Sequence, residues 1–365
     1  MAYGSLNADV ITSSTGQVFS PSSSVMKNRI INGAMVIDQR NAGTSITGND
    51  AVFPVDRWKW NDSQDGKFTL GQNLNSVTPP PGFANYLGAQ VSSSVSIGSG
   101  DYFIIRQNIE GYNIADWNWG TANAKTVTLS FWVYSSLTGT FGGSLQNSAN
   151  NQAYPFLYTI SSANTWTQIS LTIAGPTSGT WLTTNSRGVV INFGLGVGST
   201  YSGTAGSWNT NYNFSATGGV SVVGTGSATF YITGVQLEVG TVATQFEYRQ
   251  YGQELALCQR YYWQYTGVSS TGYTGMGAGG FISSTSFSAF IPYPVQMRAT
   301  PTFTQANLQV TTTGYPTISS IGQNYSSQYA GRIDFNTSAS SAGYGGVLGA
   351  GNAATTSYLT ASAEL

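Results

Sequence analysis

The chain contains no histidine, only one cysteine, and charged side chains at just 7% of its 365 positions. Each shortage excludes something. Without histidine there is no Ser-His-Asp or Cys-His arrangement and no histidine-based metal site. With Cys258 alone, no disulfide can close within the chain. That cysteine falls on the apolar side of a short helical stretch, where a small buried hydrophobe is expected rather than a reactive thiol. A net charge of −1, with no basic cluster, offers nucleic acid no electrostatic footprint. Between Thr126 and Leu237 the sole charged residue is Arg187. No apolar run approaches a membrane span, and the opening MAYGSLNADVITSSTGQ lacks the basic start and apolar run of a signal peptide.

What the chain has instead is Gly, Ser, Thr, Asn and Gln, with 40% hydrophobic and 13% aromatic residues. Thr, Tyr, Phe and Trp favour strands, and Gly with Asn and Ser supplies turns. The fold class is therefore all-β. Period-two runs support this. Val127, Leu129, Phe131 and Val133 share one face, as do Ile169, Leu171 and Ile173. Val189, Ile191, Phe193, Leu195 and Val197 repeat the pattern, and Phe103, Ile105, Gln107 and Ile109 give a weaker version. About eight such runs fit a two-sheet jelly roll better than an immunoglobulin-like domain.

The densest information lies in Gly234–Trp263, GVQLEVGTVATQFEYRQYGQELALCQRYYW. Phe230 and Ile232 alternate in one parity, Val235 and Leu237 in the other, which predicts a β-bulge at Gly234. After a crossing loop, Gln253–Tyr262 predicts the one helix, with Leu255, Cys258 and Tyr262 on one face. This junction resembles one that closes a β-sandwich in bacteriophage tail-fibre and receptor-binding proteins. Asn28–Gly33 with Gln39-Arg40, the Asp56-Arg57-Trp58 string, Val295–Pro301 and Thr360–Leu365 resemble further strings of that family. One departure is Gln245, where the family usually has proline. The resemblance implies a carbohydrate-binding-module-like jelly roll, a virion location and assembly into fibres.

Four regions follow: an extended virion-attachment arm over 1–27, a jelly-roll sandwich over 28–250, a linker helix over 251–265 and a smaller β-domain over 266–365. In the last, Phe281, Ser283, Thr285, Phe287, Ala289 and Ile291 alternate as a single strand, and 302–310, 331–337 and 356–364 are further strands. Large apolar residues are few there, so association is expected to supplement its core. A homotrimer is expected, with Leu255 and Tyr262 near the three-fold axis.

Catalytic ingredients are scarce. Asp62 and Asp65 beside Gly66, and Asp50 and Asp56 around Phe53, read as turn-capping residues rather than a glycosidase pair. Asp62–Gly66 lacks the glutamate and spacing of an EF-hand loop. Gly194–Gly198 lies in strand alternation and is no phosphate loop. No enzymatic activity, metal or cofactor is expected.

Aromatic surface remains. Trp132 and Tyr134 lie on the face opposite Phe131 and Val133. Trp117, Asn118 and Trp119 form a loop, and Trp208 and Tyr212 occupy another. A sugar ring offers a C–H face to stack and hydroxyls for amides to bind. These five loop residues are the candidate saccharide site, although core or interface packing is the commoner fate of such rings. The expected protein is a phage fibre or receptor-binding protein attaching to a host surface glycan without cleaving it. A purely structural virion component, such as a head-decorating fibre or tail adaptor, is the alternative, and a polysaccharide depolymerase a distant third. Its partners would be further copies of itself, other virion proteins through the arm, and the glycan.

Overall fold

The computed structural model describes residues 11–12, 18–19, 26–267, 274–312, 314–338, 340–351 and 356–365. The arm expected over 1–27 lies outside the described residues, apart from Met26, Lys27 and an antiparallel pairing of Ile11–Thr12 with Val18–Phe19. The chain divides into two compact units between Tyr251 and Gly252.

The first unit is a jelly-roll β-sandwich. One sheet has five strands, ordered Ala153–Ile160, Gly139–Asn147, Arg187–Val197, Tyr102–Glu110 and Lys59–Asp62. The other has six, ordered Thr167–Ile173, Val127–Ser135, Thr229–Val239, Leu87–Val91, Phe68–Gln72 and Ile46–Thr47. The expected alternation holds: Phe131 and Val133 are buried, Trp132 and Tyr134 only half-buried. Between the sheets, Phe131 packs on Phe193 with ring centroids 5.1 Å apart and Trp60 on Phe68 at 4.8 Å. Each such buried ring contributes about 1.5–3 kcal/mol through lost water contact.

Both outer faces are covered by chain. Over the six-stranded sheet, residues 73–83 are held by ring tips. The Tyr86 hydroxyl donates to the Leu74 carbonyl at 2.7 Å, Trp166 Nε1 donates to the Thr78 carbonyl at 2.8 Å, and Asn75 donates to the Tyr231 hydroxyl at 2.8 Å. Over the five-stranded sheet, residues 198–219 are held by short polar groups. Ser144 Oγ and Gln146 Nε2 both donate to the Asn213 carbonyl, at 2.7 and 2.8 Å. Asn192 braces the pair by donating to Ser144 Oγ and Gln146 Oε1.

The second unit begins at the second residue of an α-helix, Tyr251–Gln259, the one α-helix among the described residues. The expected helix ran to Tyr262, but Tyr262 starts a strand, Tyr262–Thr266, paired with Tyr358–Ser362. The aromatic run Tyr261-Tyr262-Trp263 suits a pleated surface better than a helix, and a ladder partner is present to take it. Tyr262 is consequently buried in the strand, with its hydroxyl donating to Gln264 Oε1, while Leu255 is half-buried on the helix. Cys258 is buried.

Thr302–Ala306 completes that three-stranded sheet, and a separate six-stranded sheet runs Leu308–Thr311, Gly345–Ala350, Gly275–Ser283, Ser286–Pro292, Ala330–Thr337 and Ile318–Asn324. The single strand expected through 281–291 is a hairpin turning at Ser284-Thr285, with Phe281 opposite Phe287. A two-residue turn by itself reverses parity, but the pairing slips by one residue between Phe281 and Ser283 and restores it, so Phe281, Phe287, Ala289 and Ile291 all still point inward. The strand expected over 302–310 breaks at Asn307, whose φ is 52°. The unit has its own core of Phe281, Phe287, Phe335, Leu348 and Leu359, completed by Trp263. No described helix is long and apolar enough to cross a membrane.

Candidate functional site

The most developed surface site grows out of Gly234. The pairing of Thr229–Val239 with Val127–Ser135 slips between Thr233 and Gln236, the bulge that the parity change predicts. Gly234 has a φ of 62°. A Cβ there would sit 2.6 Å from Phe83 Cζ and 3.1 Å from Trp132 Cδ1. Backbone angle and space both demand glycine. Past the bulge, Gln236 and Glu238 turn to the outer face and fasten the returning chain. Glu238 Oε1 accepts the Thr244 amide at 2.8 Å, and Gln236 Oε1 accepts the Glu247 amide at 2.8 Å. The Glu247 carboxylate in turn accepts the Asn28 amide at 2.9 Å and pairs with Arg249 at 3.4 Å.

These bonds bring Phe246 and Tyr248 over Phe83. The Phe83–Phe246 centroids are 5.1 Å apart, Phe83–Tyr248 5.5 Å and Phe246–Tyr248 4.9 Å. Together with Trp132 they wall a notch of about 180 Å³, with Gln168, Thr244 and Gln245 among its other lining residues. Gln168 stands directly across from Trp132 in the neighbouring strand. Both glutamines are exposed and their amides open to solvent. The Tyr248 hydroxyl, on a ring that is itself exposed, has its pKa raised by partial desolvation, and like any tyrosine it is a neutral donor near pH 7. The notch thus offers ring faces, amides and hydroxyls without charge. That set matches a neutral polyol ring, with stacking on one side and hydroxyl contacts at the edge.

The five loop residues expected to form the site are placed differently. Trp117 and Trp119 are buried, at 0% and 6% exposure. Trp119 packs on Trp117 at 4.6 Å, on Trp181 at 4.8 Å and on Trp208 at 5.4 Å, forming one tryptophan wedge in the core. Asn118 is exposed in the left-handed region, φ 55°, and Trp208 is half-buried with its indole nitrogen donating to the Ala174 carbonyl at 2.7 Å. Tyr212 lies apart from the wedge, over the five-stranded sheet beside Phe214. Trp117 and Trp119 are therefore unavailable for surface stacking: rings from distant loops close over them. Of the notch, the sequence singled out Gly234, Phe131 and Trp132, and Gln245 as a departure from the family pattern, but none of them as a binding residue. Phe83, Phe246 and Tyr248 lie in loops, where no periodicity marks a ring as converging on another.

A second cavity of about 250 Å³ lies beside the tryptophan wedge, lined by Tyr154, Phe156, Leu171, Ile173, Ala205 and Gly206 among others. Neither cavity is lined by a carboxylate. Asp62 and Asp65 do meet: burial pushes the Asp62 carboxyl up to about 6, the Asp65 and Asp50 charges add to this, and a 2.6 Å bond from Trp60 Nε1 opposes it. Among the described residues no group of His, Cys, Asp or Glu is arranged to hold a metal.

No protein-family model matches the chain, and no curated protein matches its sequence. Solved structures overlap it in part. One is the enzymatically active domain of tailspike protein 4 of bacteriophage CBA120, at 14% identity and TM-score 0.32 over 59% of this chain. The match spans only 22% of that tailspike chain. Another is TmCBM61 in complex with β-1,4-galactotriose, at 8% identity and TM-score 0.31, covering 58% of this chain and 99% of that one. A third is the family 11 carbohydrate-binding module of Clostridium thermocellum with a mixed-linked tetrasaccharide, at 11% identity and TM-score 0.27, covering 54% and 96%. At such scores no functional argument passes from those proteins to this chain.

Proposed function

We propose that the chain is a non-catalytic saccharide-binding protein of a bacteriophage virion, a fibre or receptor-binding protein that holds a host surface glycan in the Gly234 notch. The observation that carries this reading is the notch itself: four rings with uncommitted amides, built by a glycine-dependent bulge. The virion assignment rests on the resemblance of the junction strings. Absence of histidine and of cavity-lining carboxylates supports binding without cleavage.

The test replaces Trp132 by Ala and, separately, Tyr248 by Ala, and measures adsorption of the purified protein to host cells. Each lost stack should weaken binding about fivefold, or roughly 1 kcal/mol, with the melting temperature little changed. Unchanged adsorption in both variants rejects the notch and favours the purely structural virion role. Release of reducing sugar from host polysaccharide overturns the non-enzymatic reading. Single sites of this strength need avidity, which a homotrimer supplies, and a monomeric mass by light scattering at micromolar concentration rejects that assembly.

A further inference from the structure

The opposite face of the sandwich carries two arginines, Arg106 and Arg187, that no carboxylate among the described residues is paired with. The buried Glu110 nonetheless stands across from Arg187 in the neighbouring strand. Arg106 is 8% exposed on the outer face of the five-stranded sheet, under the Phe214 ring at 5.7 Å. Its Nε and Nη2 meet no acceptor. Arg187, the sole charged residue between Thr126 and Leu237, is half-buried and donates to the Ser148 carbonyl at 2.6 Å and to Asn150 Oδ1 at 3.0 Å. Among the described residues neither arginine pairs with a carboxylate, whereas Arg29, Arg40 and Arg249 pair with Asp116, Asp56 and Glu247.

The Tyr212 ring packs 4.6 Å from Phe214, the ring that lies over Arg106, and its hydroxyl is within electrostatic reach of both guanidinium groups. A phenol oxygen there occupies the place that an anionic oxygen would fill better. A buried guanidinium without counter-charge is costly, and its fork of N–H groups matches an oxyanion in two-point contact. The surroundings suit a sugar carrier. Asn192 stands across from Arg106 with Oδ1 unbonded. Tyr212 is half-buried, with exposed Asn211 before it and the Phe214 and Tyr201 rings at 4.6 and 5.9 Å.

We propose that Arg106, Arg187 and Tyr212 form a second binding site, on the outer face of the five-stranded sheet, for the anionic group of a charged saccharide. The anionic group takes the place of the Tyr212 hydroxyl, spans the two guanidinium groups, and the displaced ring stacks on the sugar. The saccharide as carrier rests on the reading of the chain as a glycan binder. The preference for an anion rests on the arginines alone and stands even if the notch binds nothing.

The experiment titrates the intact chain with galacturonic acid, glucose 6-phosphate and glucose by NMR. At least one anionic sugar should bind and glucose should not bind here, and the anion that binds identifies carboxylate or phosphate as the group recognised. Arg106→Gln and Arg187→Gln should each weaken that binding about tenfold, and added salt should weaken it too, while Trp132→Ala leaves it unchanged. Arg187 is half-exposed, so its variant keeps the test alive if Arg106→Gln fails to fold. Tyr212→Phe, which removes the competing hydroxyl, should bind the anion at least as well as the unaltered chain. The proposal is overturned if neither anionic sugar binds, if glucose binds as well as they do, or if Arg187→Gln binds like the unaltered chain.

Discussion

On the six-stranded sheet, Tyr86, Tyr134, Trp166 and Tyr231 turn their rings outward, with Tyr134 and Tyr231 stacked at 5.3 Å. On the five-stranded sheet the outward side chains include Arg106, Ser144, Gln146 and Asn192, with the Tyr102 ring at one end packing on Phe214 at 5.0 Å. Each face is roofed by a loop, and the two roofs are fastened by different chemistry. Rings gain most of their stability from area and need only a hydroxyl or indole N–H to reach a carbonyl. Short polar groups gain about 1 kcal/mol per bond, and each one left unmet forfeits more than that. Rigid rings can therefore leave a notch beside Gly234 at little cost. The polar face has no such slack, and its unmet groups at Arg106 and Asn192 call for a partner.

That difference can be broken most sharply at the polar roof. Replacing Ser144 by Ala and Gln146 by Leu together strips the Asn213 carbonyl of both side-chain donors and Asn192 of both acceptors. A loss of about 3 kcal/mol is expected, read as a shifted denaturant midpoint. A loss under 0.5 kcal/mol, which is about the noise of a surface substitution, would mean that the rings of the roof and not the polar pins hold it.

Next in size is Gly234→Ala on the aromatic side. The positive φ and the approach of Phe83 should cost about 2 kcal/mol and close the notch, so binding falls further than in Trp132→Ala. If stability and binding both survive, the bulge is not what shapes the site.

The smallest effect is on pH dependence, and it should appear on one sheet only. Asp62, at the end of the five-stranded sheet's edge strand, has its pKa raised to about 6 by burial. A carboxyl raised in the folded state stabilises most when protonated, and that contribution is lost as pH rises through about 6. The melting temperature should therefore fall between pH 4.5 and 7, and fall less in Asp62→Asn. Equal slopes would remove Asp62 as the cause. On the aromatic face burial pushes the Tyr86 hydroxyl up to about 12 and raises Tyr134 as well, so neither tyrosine titrates in this window.

Much of the architecture was legible in the residue order. Strand alternation in Val127–Val133 and Val189–Val197, the bulge at Gly234, and a helix covering Leu255 and Cys258 all depend on neighbours within a few positions. The side chains are aimed by the local backbone, so periodicity reports them directly. Boundaries were less legible where a distant ladder competed: Tyr262 left the helix because Ser362 was there to pair with it, and 281–291 folded back into a hairpin whose one-residue slip beside the turn keeps the same face inward.

The sites depended on tertiary structure altogether. Sequence composition by itself determined that chemistry here would come from rings and amides, since histidine is absent and charge is rare. Which rings would be reachable was decided by packing. Trp117 and Trp119 became core because Trp181 and Trp208, from remote loops, closed over them. Phe83, Phe246 and Tyr248 became a surface wall because Gln236 and Glu238 pinned a returning loop above Gly234. Alternation along a strand is a property of the backbone and is written in consecutive residues. Exposure of a loop side chain depends on which remote segment comes to lie on it, and only the folded chain decides that.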